Sequence, residues 1–200
     1  MCDGITMNYK KFLVIAIFTA GLFFLDKVTR FDISLAADPK PNIIVVMADD
    51  LDQKSLQRML NWGLMPNLKQ HIVDRGATFK NSFVSNSLCC PSRATLLTGQ
   101  YSHNNAVQSN SPAVKGILAF NDDNTLPKWL QSAGYSTGHI GKYLNGYGVV
   151  DINGDGMVND SDKTYIPPGW DDWQGSIDPS TYQMYNYTLN DNGVLMTYGD

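Results

Sequence analysis

The sequence predicts an α/β fold, and three observations carry that prediction. A continuous apolar, β-branched run opens the folded part, two adjacent acids close that run, and strand-like and helix-like segments alternate after it. Asn42 to Ala48 reads Asn-Ile-Ile-Val-Val-Met-Ala. With no polar residue between its branched side chains, it predicts a strand buried on both faces, as in a parallel sheet. Asp49 and Asp50 follow at its C-terminal end, the edge at which open α/β sheets hold their ligands.

Asp38-Pro39-Lys40-Pro41 reads as a linker into the domain. Pro66 to Arg75 has helical spacing, with Leu68, Ile72 and Val73 on one side and Gly76 as the stop. Thr78 to Val84 reads as a strand. Pro91 to Leu97 reads as a helix, with Pro in its first turn and Gly99 as terminator. Thr125 to Ala133 is a further helix, capped by Thr125 and ended by Gly134; Tyr135 to Ile140 is a short strand leading into Gly141-Lys142. From Gly146 onward Gly, Asp, Asn and Pro dominate and loops are predicted. No internal repeat is present. The chain ends on Tyr198-Gly199-Asp200 without a finishing helix or strand, so the expectation is the N-terminal part of a longer catalytic domain.

The 200 residues suit one domain, and 43% hydrophobic against 17% charged residues supply a packed core. A formal net charge of -4 argues against a nucleic-acid binder, which would normally show a basic face, while a local pocket for a small anion remains compatible with it. The three cysteines are Cys2, Cys89 and Cys90. A bridge between neighbours is strained and closes almost no loop, so this is no disulfide scaffold. Lys10 and Lys11 precede a 14-residue apolar run from Phe12 to Leu25, with small residues at Ser34-Leu35-Ala36. That is short for a membrane span and fits a signal peptide. Residues 1–37 are read as signal and leader and 38–200 as the folded part, secreted or periplasmic; the alternative is a membrane anchor made by the uncleaved run.

The strongest signal is Ser87-Leu88-Cys89-Cys90-Pro91-Ser92-Arg93-Ala94-Thr95-Leu96-Leu97-Thr98-Gly99. It resembles the signature of the type I, formylglycine-dependent sulfatases, Cys-x-Pro-Ser-Arg followed by x-x-Leu-x-Thr-Gly. A second family signature is matched by Gly134 to Leu144, Gly-Tyr-Ser-Thr-Gly-His-Ile-Gly-Lys-Tyr-Leu, and Pro41 to Asp50 is similar to the family's first strand. The three motifs stand in the family's order and cover most of residues 41 to 145.

The resemblance implies an alkaline-phosphatase-like sandwich, a central, mostly parallel sheet flanked by helices. It implies that Cys89 is oxidised to formylglycine by a maturation enzyme, with Cys90 a small spacer. The hydrated aldehyde carries two hydroxyls on one carbon: one attacks sulfur and expels the alcohol, and deprotonation of the other ejects sulfate. Calcium is the implied cofactor, held by Asp49, Asp50 and residue 89, since hard carboxylate oxygens suit such an ion. Arg93 would steady the aldehyde hydrate with its fixed fork, and Lys142 would hold a sulfate oxygen. Many sulfatases place His two residues after this lysine. Here Leu144 stands there and Asn145 follows, as in the N-acetylglucosamine-6-sulfatase and heparan endosulfatase-like branch. Asn145 is therefore the candidate to replace that His in substrate binding, and His103, just after the predicted catalytic helix, is a candidate lining of the pocket. His71 reads as structural or exposed and His139 as a satisfied core histidine.

A second metal candidate is the twelve-residue stretch 151–162, which resembles one dockerin or EF-hand calcium loop. Asp151, Asn153, Asp155, Asn159 and Asp162 supply oxygens, and Gly156 the sharp turn. A single copy argues against cohesin binding. Trp170 and Trp173, beside Pro167-Pro168, suit either sugar stacking or local packing. The implied reaction is hydrolysis of a sulfate ester on a sugar, a glycosaminoglycan-like polysaccharide or an aryl group. The alternatives are a phosphodiesterase or phosphonate hydrolase of the same superfamily, and a non-catalytic, calcium-dependent binding module.

Overall fold

The computed structural model describes residues 40–183 and 185–199, so the leader read at 1–37 lies outside the described residues. The chain divides into two compact units, Met1–Met47 and Ala48–Asp200. Of the first, residues 40–47 are described, and they are neither helix nor strand. The strand expected at 42–48 is therefore corrected: Ile44 and Val46 are 86% and 83% exposed. A doubly buried strand needs ladder partners on both edges and cover on both faces, and no described strand pairs with it. The strand expected at 78–84 fails for the same reason, with Phe79 and Phe83 exposed.

Within the second unit, α1 (Gln53–Asn61) starts at Asp52, whose carboxylate accepts from the backbone N–H of Lys54 and Ser55. The helix expected at 66–75 is divided into α2 (Pro66–Leu68) and a π-helical turn, Lys69–Val73. Helix α3 (Cys89–Thr98) has Pro91 in its first turn and ends on Gly99, whose φ of 65° is a left-handed cap that a side chain would strain. Its buried face is Cys90, Pro91, Ala94 and Thr98, the i, i+4, i+8 rows of a helix laid on a core. Helix α4 (Leu126–Ser132) follows Thr125 as expected, but the Thr125 side chain does not cap it: its hydroxyl donates to the Asp122 carbonyl instead.

The sheet contains β1 (Gly138–Gly141), β2 (Asp172–Ser176), β3 (Tyr187–Asp191) and β4 (Val194–Tyr198), in that order. β1 pairs with β2 in parallel, and the other two ladders are antiparallel. The α/β class holds, with a mixed sheet among the described residues. The stretch after Gly146, read as loops, supplies three of its four strands.

Trp173 of β2 is fully buried and organises the core with Tyr143, Leu144 and Tyr147. Its indole N–H donates to the Tyr147 hydroxyl at 2.8 Å, Asn190 donates to the same oxygen at 2.8 Å, and that hydroxyl donates to the Tyr165 carbonyl. The polar tips of Trp173, Tyr147 and Asn190 are thereby satisfied, as burial requires. Trp170 packs 5.9 Å from Trp173 between ring centres, so packing, not a free sugar platform, accounts for this pair.

Candidate active site

Helix α3 carries Cys89 at its first position and Arg93 one turn later, on the same face. Its N-terminus has no side-chain cap from Leu88. Instead Asn110 reaches in, and its Oδ1 accepts the Cys90 N–H at 2.9 Å. The positive end of the helix therefore lies at residue 89, a setting that favours an anion.

Asp49 and Asp50 meet this helix end. Among the described residues, the one group of three or more acidic, Cys or His ligand atoms that all lie within 4.8 Å of one another is Asp49, Asp50 and Cys89. Asp50 has a φ of 54°, the left-handed region that Asp tolerates better than most residues. Asp49 binds two cations: Lys142 Nζ at 2.7 Å and Arg93 at 3.4 Å. Partial burial raises the Asp49 carboxyl, but hydrogen bonding and charge from Lys142 and Arg93 outweigh it and hold the group below the usual carboxylate range. Burial likewise lowers Lys142, and its partners Asp49, Tyr182 and Cys89 more than reverse that, so it stays charged. Both cations are well enclosed, with side chains 11% and 12% exposed for Lys142 and Arg93. Arg93 also donates to the Lys142 carbonyl, binding the helix to the 141–145 segment.

Asp49 and Asp50 offer carboxylate oxygens of the kind a hard divalent cation such as calcium takes, and Asp49 already attracts positive charge, whereas Cys89 as encoded offers a softer sulfur.

Asn145 joins the same region through Cys90. Its backbone N–H donates to Cys90 Sγ at 3.0 Å, and its Oδ1 lies 3.4 Å from that sulfur. Cys90 is fully buried, which pushes its thiol up to about 11. The spacer thus also ties the helix to Asn145. The amide of Asn145 donates to the Tyr182 hydroxyl, and Lys142 Nζ lies 4.7 Å from the centre of the Tyr182 ring. Sequence reasoning missed Asn110 and Tyr182. Each acts across more than a dozen residues, and no local motif marks either one.

The other candidates lie elsewhere. His103 is exposed, stacks on Tyr101 with ring centres 5.8 Å apart, and lines a cavity of about 630 Å³ with Ser85, Asn86, Ser102 and Gln108. Neither acid nor Cys89 lines that cavity. His71 is exposed, while His139 stacks on Trp173 at 4.5 Å, as expected of a core histidine. In the 151–162 loop the carboxylates accept from the loop's own backbone. Asp151 takes the N–H groups of Gly154, Asp155 and Gly156; Asp155 takes that of Met157; Asp162 takes those of Ile152, Asn153 and Asn159. Asn153 Oδ1 accepts from Asp155, and Asn159 caps the short helix α5 (Asp160–Lys163).

Comparison with known proteins places the chain in a family. The sulfatase family model matches residues 41–192. The chain is 33% identical over 193 residues to a Caenorhabditis elegans homologue of the extracellular sulfatase Sulf-1, covering 96% of this chain and 23% of that protein. It is 36% identical over 170 residues to the Drosophila melanogaster homologue, covering 84% of this chain and 14% of the relative. It is 36% identical over 172 residues to the N-acetylglucosamine-6-sulfatase of Homo sapiens, covering 82% of this chain and 28% of the relative. The chain thus spans between 14% and 28% of the length of these relatives.

Proposed function

For a chain that belongs to the sulfatase family, we propose a role as the nucleophile-bearing part of a calcium-dependent sulfuric ester hydrolase, with residue 89 acting as formylglycine. The observation that carries this reading is the meeting of Asp49, Asp50 and Cys89 within 4.8 Å. Asp49, Asp50 and an oxygen of the oxidised residue 89 would hold the calcium ion, which supplies Lewis-acid polarisation of the reacting oxygens. The hydrated aldehyde supplies one hydroxyl to attack sulfur and a second to expel sulfate, a release step that a plain thiol or hydroxyl nucleophile lacks.

The chain's own residues do the rest. Arg93, rigid between Asp49 and the Lys142 carbonyl, orients residue 89 with its planar fork. Lys142 offers the sulfate a compact charge, and the start of α3 adds its dipole. Asn145, which shares Tyr182 with Lys142, would contact the substrate. His103, with Tyr101, offers a planar polar surface suited to a sugar ring. The substrate is a sulfated sugar, a reading supported by the Gly141-Lys142-Tyr143-Leu144-Asn145 sequence and by the N-acetylglucosamine-6-sulfatase among its relatives. Secretion is supported by the basic and apolar N-terminal sequence and by two relatives named as extracellular sulfatases.

Mass spectrometry of the peptide holding Cys89, from protein made in its own host, should show a loss of about 18 Da as CH₂SH becomes CHO. Cys89→Ala should lower turnover of an aryl sulfate by about 10³-fold or more. Full turnover by a protein with an intact thiol at 89 would overturn the mechanism. Faster hydrolysis of an aryl phosphodiester than of an aryl sulfate would favour the phosphodiesterase alternative instead.

A further inference from the structure

We propose that Tyr182 is a positioning residue for the site, holding Lys142 with its ring and Asn145 with its hydroxyl. The inference rests on the reading of Lys142 as the sulfate ligand and deepens it.

Lysine has a flexible four-carbon stem, and an anion site gains from fixing its ammonium in advance. One anchor is Asp49, 2.7 Å from Nζ. A second carboxylate would cancel the charge that a sulfate needs. An aromatic face attracts the ammonium through its quadrupole and adds no net charge. The Tyr182 ring, 4.7 Å from Nζ, meets that requirement. Its hydroxyl accepts the Asn145 amide, and Asn145 in turn touches Cys90, the neighbour of residue 89. One side chain therefore joins the cation to the start of α3.

The support beneath Tyr182 is rigid. It closes a 3-10 turn, Ser180–Tyr182. Thr181 donates to the Ile177 carbonyl at 3.1 Å, and the Ser180 hydroxyl accepts the Thr188 N–H at 2.9 Å. Asp178 donates its N–H to the Tyr147 carbonyl at 3.0 Å and accepts the Gly146 N–H at 2.5 Å. Gly146 suits that approach: its φ is 93°, and a Cβ would stand 2.7 Å from Pro112 Cγ. The turn is thus bound directly to the residues that follow Asn145. Tyr182 itself is 55% exposed, so it buries little area and packing alone does not account for its place.

The test uses the matured protein that carries this chain, with an aryl sulfate as substrate and inorganic sulfate as competitive inhibitor. Tyr182→Leu should raise KM and the sulfate inhibition constant together by about 10-fold, with kcat changed by less than about 3-fold. Tyr182→Phe keeps the ring and should raise both constants by only about 3-fold. In a Lys142→Ala background, Tyr182→Leu and Tyr182→Phe should have equal sulfate affinity, since both lack the hydroxyl and the ring acts through the lysine. By NMR, the ring-current displacement of the Lys142 ε-methylene protons should persist in Tyr182→Phe and vanish in Tyr182→Leu. Wild-type KM and inhibition constant in Tyr182→Leu would overturn the positioning role alone. Unchanged sulfate affinity in Lys142→Ala would overturn the lysine assignment and this inference with it.

Discussion

Asp50 shows how one residue's backbone and its chemistry can be separated. Its φ of 54° turns its carboxylate toward Asp49 and residue 89, and holding a non-glycine residue there costs of order 1 kcal/mol. Asparagine tolerates the same region and has nearly the same shape. Asp50→Asn should therefore leave the urea unfolding midpoint nearly unchanged while calcium affinity falls at least about tenfold, as one ligand loses its charge. Asp50→Ala should also lose about 1 kcal/mol of stability. Calorimetric titration with calcium reads the first effect, and an unchanged affinity in Asp50→Asn would remove Asp50 from the ligand set. Asp49, Asp50, Cys89, Arg93 and Lys142 were legible in the sequence because each belongs to a contiguous motif. Tyr182 was not: it reaches Asn145 across 37 positions, and only the turn at Ser180–Tyr182 brings it there.

Among the elements, α3 was legible almost to its ends because Pro91 and Gly99 bracket it and both act through local backbone geometry. The hairpin of β3 and β4 was not, since its strands are interrupted by Asn190, Asp191 and Thr197 and lack a clean apolar alternation. Its signal lay in Asn192-Gly193, two residues at φ 50° and 90° that form the tight turn. The run at 42–48 shows the converse: β-branched composition gives a preference, and only a neighbouring strand makes it a strand. The 151–162 loop was legible as spacing, and hydrogen bonding supplies what spacing cannot show. Asp162 is fully buried, and burial raises its carboxyl, yet N–H donation from Asn159, Ile152 and Asn153 brings it below the usual range. Asp162→Ala strands those donors and should destabilise the protein by about 2–3 kcal/mol in urea unfolding. Asp155→Ala, at an exposed position, should cost less. Equal losses from the two would mean that the loop is not held together through Asp162.

For the whole molecule, acid should act in two stages, because the perturbed groups sit in different places and are shifted by different causes. His139 lies between Trp173, Trp170 and Tyr143, and burial pushes it from 6.5 down to about 4. As pH falls between those values the unfolded chain takes up a proton that the folded chain refuses. The unfolded state binds more protons, so stability falls with pH across that window, by at most about 3 kcal/mol. Asp49 and Asp162 also titrate below their unperturbed 3.8 in the folded state. Their contribution is intact above that value and is lost only as pH falls through the folded pKa. The upper stage thus belongs to the aromatic core and the lower one to the site and the 151–162 loop. Urea unfolding followed by circular dichroism at intervals from pH 7.5 to 3 should show both. His139→Asn, although less stable at neutral pH from lost stacking, should flatten the slope between pH 6.5 and 4 and leave the lower stage in place. An unaltered slope in that variant would mean that acid enters this fold through some other group.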